Sequence, residues 1–218
     1  DFVFKNYKVN SNYKVIYNRS NFVKKKKYVS NFSGKKSIIY CLATSNIHQK
    51  GIDKQLLLIK ELRKLKNNFK LIHNFDFKNK FELKILKNKI KTFNLTRHYY
   101  LKNAKKDVWN KINHTGGIII STSRYEGRNL VIQEAFHNMV PVVATNCIGQ
   151  KELLKENHAF ILKENKIEKW SDILLEALSN EELGKLKAKR ANKWIKQFGD
   201  MKTYSYELLK CYKYVNGI

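Results

Sequence analysis

Apolar residues recur along this chain in two alternating rhythms. Short apolar runs at residues 37–43 (SIIYCLA), 69–73, 97–101, 117–120 (GIII), 141–145 (PVVAT) and 158–162 have the length and composition of strands. Between the first two runs, Ile52, Leu56, Ile59 and Leu62 repeat at helical spacing over residues 51–66. Leu83, Leu86, Ile90 and Phe93 form a second such stripe. A helix holding Val108, Trp109 and Ile112, one over residues 128–138 and a short one from Gly149 continue the alternation. Strands alternating with helices predict βαβ units, and so a parallel sheet with helices on both faces. The all-apolar run at 117–120 suits a strand buried on both sides. Pro141, the only proline, opens its strand, where no ladder donor is needed. From Lys166 the pattern is helical to the end, with turn signals at Ser179-Asn180 and Gly199-Asp200.

The first 34 residues have a different character. They hold a short strand candidate at residues 13–17, a lysine run at 24–27 and a Ser33-Gly34 turn. The predicted organisation is a linker and entering strand over 1–34, an α/β domain over 35–198 and a closing C-terminal helix over 199–218.

At 218 residues and 43% hydrophobic content the chain can bury a core without disulfides or a structural metal. Cys41, Cys147 and Cys211 are widely spaced and odd in number, which suits a reducing cytoplasm better than a disulfide framework or zinc site. No run approaches a membrane span or a signal segment, and the start at Asp1 reads as that of a fragment. The net charge of +26 is compatible with lysines spread over solvated helix faces. Attraction to anionic lipid on the inner face of the cell membrane, or non-specific attraction to nucleic acid, is the sharper reading. No nucleic-acid-binding motif accompanies the charge, so no specific nucleic acid is expected.

In open parallel sheets ligands sit at the carboxyl ends of the strands, where helix N-termini offer unpaired N–H groups to phosphate. Two loops there stand out: residues 44–51 (TSNIHQKG) and 121–134 (STSRYEGRNLVIQE). Glu126 sits at the mouth of its strand beside Gly127, and Glu134 follows within the next helix. Carboxylates so placed accept charge-assisted hydrogen bonds from hydroxyl pairs, while the helix start takes a diphosphate. Helix capping by Glu126 and a surface ion pair for Glu134 are the structural alternatives. For His48, His114, Trp109, Trp170 and Trp194 loop, core or domain-contact packing is the expectation.

The order Ser123-Arg-Tyr-Glu-Gly127, Leu130-Val-Ile-Gln-Glu-Ala135, Val140-Pro-Val-Val-Ala-Thr145, then Gly149 and Glu152-Leu153, resembles the C-terminal domain of retaining GT-B glycosyltransferases of the group 1, family 4 type. Lys50-Gly51-Ile52-Asp53 resembles that family's diphosphate loop, residues 13–18 its interdomain strand, and residues 189–212 its closing helices. The resemblance implies a Rossmann-like domain, the C-terminal half of a GT-B fold, that binds a UDP- or GDP-sugar without a metal. It implies transfer to a glycan or lipid-linked acceptor held by a separate N-terminal domain, so that this chain alone is inactive. Carried over by position, Glu126 is catalytic and contacts the sugar, Glu134 the ribose, and Lys50 and the amides around Asn129 and Leu130 the diphosphate. Gly51, Gly127, Arg128 and Val131 complete the donor site, and the base lies near His98, Tyr99 and Tyr100. The chain departs from the pattern at Ser45, where an arginine is usual. It departs also at His73-Asn74-Phe75-Asp76 in place of a glycine-rich turn, and at Asn129 in place of glycine. Arg128, at a helix start, is the candidate substitute for the missing arginine. The rival functions are a non-catalytic nucleotide-sugar-binding module and a basic nucleic-acid-binding protein.

Overall fold

The computed structural model describes residues 37–43, 45–104, 108–163, 166–197 and 201–215. The linker, the strand at 13–17 and the lysine run at 24–27 lie outside them. Six strands, β1 (Ser37–Cys41), β2 (Phe69–Phe75), β3 (Tyr99–Asn103), β4 (Ile118–Ser121), β5 (Val142–Thr145) and β6 (Phe160–Leu162), form one sheet in the order β3-β2-β1-β4-β5-β6. Every pairing is parallel. Among the described residues there are seven helices, α1 (Ile52–Leu65), α2 (Lys80–Thr92), α3 (Val108–Thr115), α4 (Leu130–His137), α5 (Ile167–Ser179), α6 (Glu181–Lys196) and α7 (Met201–Val215).

Parallel strands need crossovers, and the helices supply them on both faces of the sheet. One core cluster joins α1, α2 and α5 to one face through Leu56, Ile59, Leu71, Leu86, Trp170 and Leu174. The other joins α3, α4 and α6 to the opposite face through Ile112, Ile132, Phe136, Ala191 and Ile195. Ile118, Ile119 and Ile120 are buried, with neighbours in both clusters, as the unbroken apolar run requires.

Local chemistry sets the helix ends. Asn79 accepts from the Glu82 N–H at 3.2 Å and donates to the Glu82 carboxylate at 2.7 Å, a reciprocal cap that starts α2. Asn129 caps α4 through the Ile132 N–H, so the helix begins at Leu130 and Arg128 lies before it rather than inside. The helix expected from Gly149 is a set of turns instead. The Gln150 carbonyl accepts from both Leu153 and Leu154, and no second turn propagates before the chain swings into β6.

Strand order reverses between β1 and β4. The loops leaving these two strands therefore part above the sheet and leave a crevice at its carboxyl edge, where this class of sheet binds ligands.

Candidate functional site

The two loops are laced together before any ligand is considered. Gly51 takes φ +60°, and a Cβ there would fall 2.0 Å from the Thr122 carbonyl oxygen, so only glycine permits the approach. The Thr122 hydroxyl donates to the carbonyls of Lys50 and Gly51 at 3.1 and 3.0 Å. The Arg124 N–H donates to the Gln49 carbonyl at 2.8 Å. Its guanidinium grips Asp53 with two bonds, 2.7 and 2.5 Å, and reaches the His48 carbonyl at 2.6 Å. Burial works against an Asp53 charge, yet the arginine's bonds and charge hold its carboxyl below the usual range. On the far side of the loop, Glu82 accepts from the N–H groups of Asn46 and Ile47 at 2.9 and 3.0 Å.

Across the crevice, Lys50 Nζ meets Glu126 Oε1 at 2.8 Å. The same oxygen accepts from the Ser123 hydroxyl at 2.7 Å and lies 3.4 Å from the Asn129 amide nitrogen. The Glu126 side chain is only 8% exposed and that of Lys50 29%. The backbone of Glu126 is fixed as well. Its N–H donates to the Ile148 carbonyl, and Gly149, at φ +82°, would carry a Cβ only 1.7 Å from the Glu126 carbonyl oxygen. Gly127 is the opposite case, since a Cβ there would meet nothing. Asn129, in place of the glycine of the family pattern, also donates to Ser121 and Gln150 at 3.2 Å, tying the mouth of β4 to the loop after β5. The first-turn amides of α4, from Leu130 and Val131, have no partner within the helix.

Lys50, Ser121, Ser123, Glu126, Asn129 and Val131 thus share one cavity with Cys41 and Gln55. The remaining expected residues are distributed around it. Ser45 is exposed on the outer part of its loop. Arg128 lines a neighbouring hollow with Gly127, Ile148, Gly149 and Lys151. Glu134, a turn into α4, accepts from the Trp109 indole N–H at 2.7 Å, and burial pushes its carboxyl above the usual range. His98 stacks on Phe69 at the amino end of β2, away from the carboxyl edge. Tyr100 sits at the start of β3, and its hydroxyl donates back to the Arg97 carbonyl at 2.9 Å. Tyr99 is buried beneath the crevice.

Tyr99 belongs to a polar cluster that sequence reading does not single out. His73 bonds the Ala43 carbonyl through Nε2 at 2.7 Å and the Tyr99 hydroxyl through Nδ1 at 2.8 Å, and that hydroxyl donates to Gln55 Oε1 at 2.7 Å. Cys41 lies beside them, 2% exposed. Burial opposes charge on both Cys41 and His73, but their mutual attraction lowers the thiol and raises the imidazole. The available signal is Gln55 interrupting the stripe Ile52, Leu56, Ile59, and His73 interrupting an apolar strand. Among the described residues no group of three or more His, Cys, Asp or Glu is arranged to hold a metal ion. No helix among them is long and apolar enough to cross a membrane.

A comparison with curated proteins gives no match. Among solved structures the chain is similar to HepE of Anabaena in complex with UDP and glucose, at 17% identity and a TM-score of 0.72, over 84% of this chain and 49% of that one. It is similar to TarM of S. aureus, at 23% identity and 0.74, over 88% and 38%. A glycosyltransferase of Rickettsia africae gives 22% and 0.69, over 84% and 48%. At these identities the likeness is one of fold, the Rossmann-like half of GT-B transferases, and the chain spans less than half the length of each. The family model for glycosyl transferases group 1 matches residues 22–197, most of the sequence, and the chain belongs to that family.

Proposed function

We propose that this chain is the donor-binding half of a retaining, family 4 type glycosyltransferase that draws a sugar from a nucleoside-diphosphate sugar. The observation that carries this reading is the 2.8 Å meeting of Lys50 and Glu126, brought from two different strand ends to the switch point of the sheet beside the α4 N-terminus. A cation, uncommitted helix amides and a carboxylate in that order suit a diphosphate followed by a hydroxyl-bearing sugar. UDP is the favoured leaving group, because similar folds are seen with UDP or UDP-glucose bound.

In this reading Lys50 and the amides of Leu130 and Val131 neutralise the departing diphosphate, with no metal required. Glu126 leaves its lysine to hold the sugar, and Glu134 takes the ribose. The acceptor hydroxyl attacks the anomeric carbon on the face the diphosphate leaves. The new carbon–oxygen bond forms as the old one breaks, and the acceptor proton passes to the departing phosphoryl oxygen. A glycan or lipid-linked acceptor is held by a second domain, so the isolated chain binds donor and transfers nothing.

Anionic membrane at the inner face of the cell is the surface this half meets, and α2 supplies the means. Lys80, Lys84, Lys87 and Lys91 are exposed and fall within about 60° of one another around the helix axis. Phe81, beside them, is 76% exposed.

A thermal-shift panel tests the reading. UDP or GDP at about 100 times its dissociation constant should add about 2.7 kcal/mol of apparent stability. A chain that shifts with no nucleoside diphosphate, yet binds DNA with steep salt dependence, is a nucleic-acid binder instead.

A further inference from the structure

Gln55 is fully buried, one turn into α1, at a position where the helix otherwise presents Ile52, Leu56 and Ile59 to the core. Its oxygen is taken by the Tyr99 hydroxyl, yet no oxygen or nitrogen among the described residues accepts from its amide nitrogen, and the neighbouring Cys41 sulfur can engage at most one of its two N–H groups. An orphaned buried amide is costly, and native proteins keep one where something outside the chain satisfies it. The orphan lines the same cavity as Lys50 and Glu126. Gln55 and Cys41, 0% and 2% exposed, form its floor, and Lys50 stands on the solvent side.

The hydrogen-bond order behind Gln55 decides which end of the amide faces the cavity. The Ala43 carbonyl can only accept, so His73 Nε2 carries a proton. Tyr99 has a single proton, and with that proton given to Gln55 Oε1 its oxygen accepts from His73 Nδ1. This makes His73 an imidazolium protonated on both nitrogens, with the Cys41 thiol that it acidifies beside it. The chain Ala43, His73, Tyr99, Gln55 therefore pins the amide oxygen inward and leaves the NH2 group aimed at the cavity. The other donors around that floor are committed within the protein, Lys50 and Ser123 to Glu126, Asn129 to Ser121 and Gln150, and Thr122 to the carbonyls of Lys50 and Gly51. The Gln55 amide is thus the donor of this floor left to an incoming ligand, and it calls for an acceptor atom.

We propose that Gln55 is a further donor-binding residue of this site, its amide N–H placed by Tyr99 to bond an oxygen of the nucleotide sugar's diphosphate. The proposal rests on the nucleotide-sugar reading above. It also gives the missing cation at Ser45 a partial, uncharged substitute at a different point of the loop-helix junction. The cavity as a whole has room for about one water, ≈ 30 Å³, so an ordered water is the competing occupant.

The test titrates the full chain calorimetrically with UDP, GDP, UDP-glucose and GDP-mannose, and follows the melting temperature of each variant without ligand. Gln55→Leu removes the orphan and lets the Tyr99 hydroxyl turn its proton to His73 Nδ1, as the imidazole gives up its proton there and becomes neutral. It should therefore melt no lower than the parent while binding diphosphate and nucleotide sugar about tenfold more weakly, or about 1.4 kcal/mol. Gln55→Glu, which puts a like charge against phosphate, should bind more weakly still. Tyr99→Phe keeps Gln55 but frees its amide, and should show a smaller loss in the same direction. Parent affinity in Gln55→Leu assigns the orphan to water and overturns the proposal. A loss confined to the nucleotide sugars moves the contact to the sugar and overturns the diphosphate assignment. Weaker binding together with a lowered melting temperature marks a structural role and overturns it too. A parent chain that binds none of the four ligands removes the nucleotide-sugar reading itself, a failure distinct from the other three.

Discussion

Replacing Trp109 by phenylalanine keeps an aromatic ring on α3 and deletes one N–H, the one that reaches Glu134 at 2.7 Å. A hydrogen bond to a charged group contributes about 1.5–3 kcal/mol. Glu134 is partly exposed, so water recovers some of this, and the net loss should be about 1 kcal/mol, roughly fivefold in affinity for a ligand whose hydroxyls Glu134 binds. The sign with pH follows from the same bond. Burial already raises the Glu134 carboxyl and the indole N–H opposes that rise, so Trp109→Phe lifts it further. A protonated carboxyl is a poorer acceptor, and the variant's deficit should widen as pH falls from 8 to 5.5. Calorimetry with UDP and 2′-deoxy-UDP at both pH values reads this out, and the deoxy ligand should lose less on mutation because a hydroxyl that Glu134 contacts is gone. If Trp109→Phe binds UDP as the parent does at both pH values, Glu134 is not a ribose ligand held by Trp109.

Three other substitutions probe separate parts of the chain. Gly149→Ala combines a positive φ with a Cβ 1.7 Å from the Glu126 carbonyl, and should cost more than about 2 kcal/mol in denaturant melts while weakening UDP binding; a neutral result would mean the β5 loop relaxes freely. Burial, then the charge of Lys196, lowers His137 to about 4 against an unfolded value near 6.5. The unfolded chain binds the extra proton between those values, so stability is lost as pH falls from about 6.5 to about 4, by about 1–2 kcal/mol after allowing for part exposure. His137→Asn should flatten that part of the pH–stability curve, and an unchanged curve would clear His137. Finally, changing Lys80, Lys84, Lys87 and Lys91 together to glutamine should abolish co-sedimentation with anionic vesicles at low salt, whereas the same change at Lys189, Lys193, Lys196 and Lys202, equal in net charge, should not; equal losses would assign binding to bulk charge.

The alternation of apolar runs and helical stripes foretold the parallel sheet, because parallel strands buried on both faces leave a continuous apolar signature, as in Ile118, Ile119 and Ile120. Lys50 and Glu126 were legible as a pair of strand-end residues but not as partners 2.8 Å apart, since they lie 76 positions apart in the chain. Separations of 71 and 44 positions hide the Arg124–Asp53 clamp and the Tyr99–Gln55 bond, which depend on register between segments rather than on any local pattern. The region after Gly149 misled for a local reason. Its polar and apolar spacing suits a helix, but one turn closed on the Gln150 carbonyl is all that β6 allows. The third strand runs over Tyr99–Asn103 rather than 97–101, the ordinary drift of strand boundaries by two residues, so His98 falls just before it and Tyr100 near its start.

The lacing of residues 46–53 to 122–126, and of 126–127 to 148–149, has a consequence for how such a site can diversify. Each strand-end loop is clamped by backbone carbonyls of the next, through Thr122, Arg124 and the missing Cβ atoms of Gly51 and Gly149. An insertion or deletion in one would pull the other two off register, so their lengths are locked as a set. Changes in ligand preference are then confined to exchanges of side chain within a fixed outline.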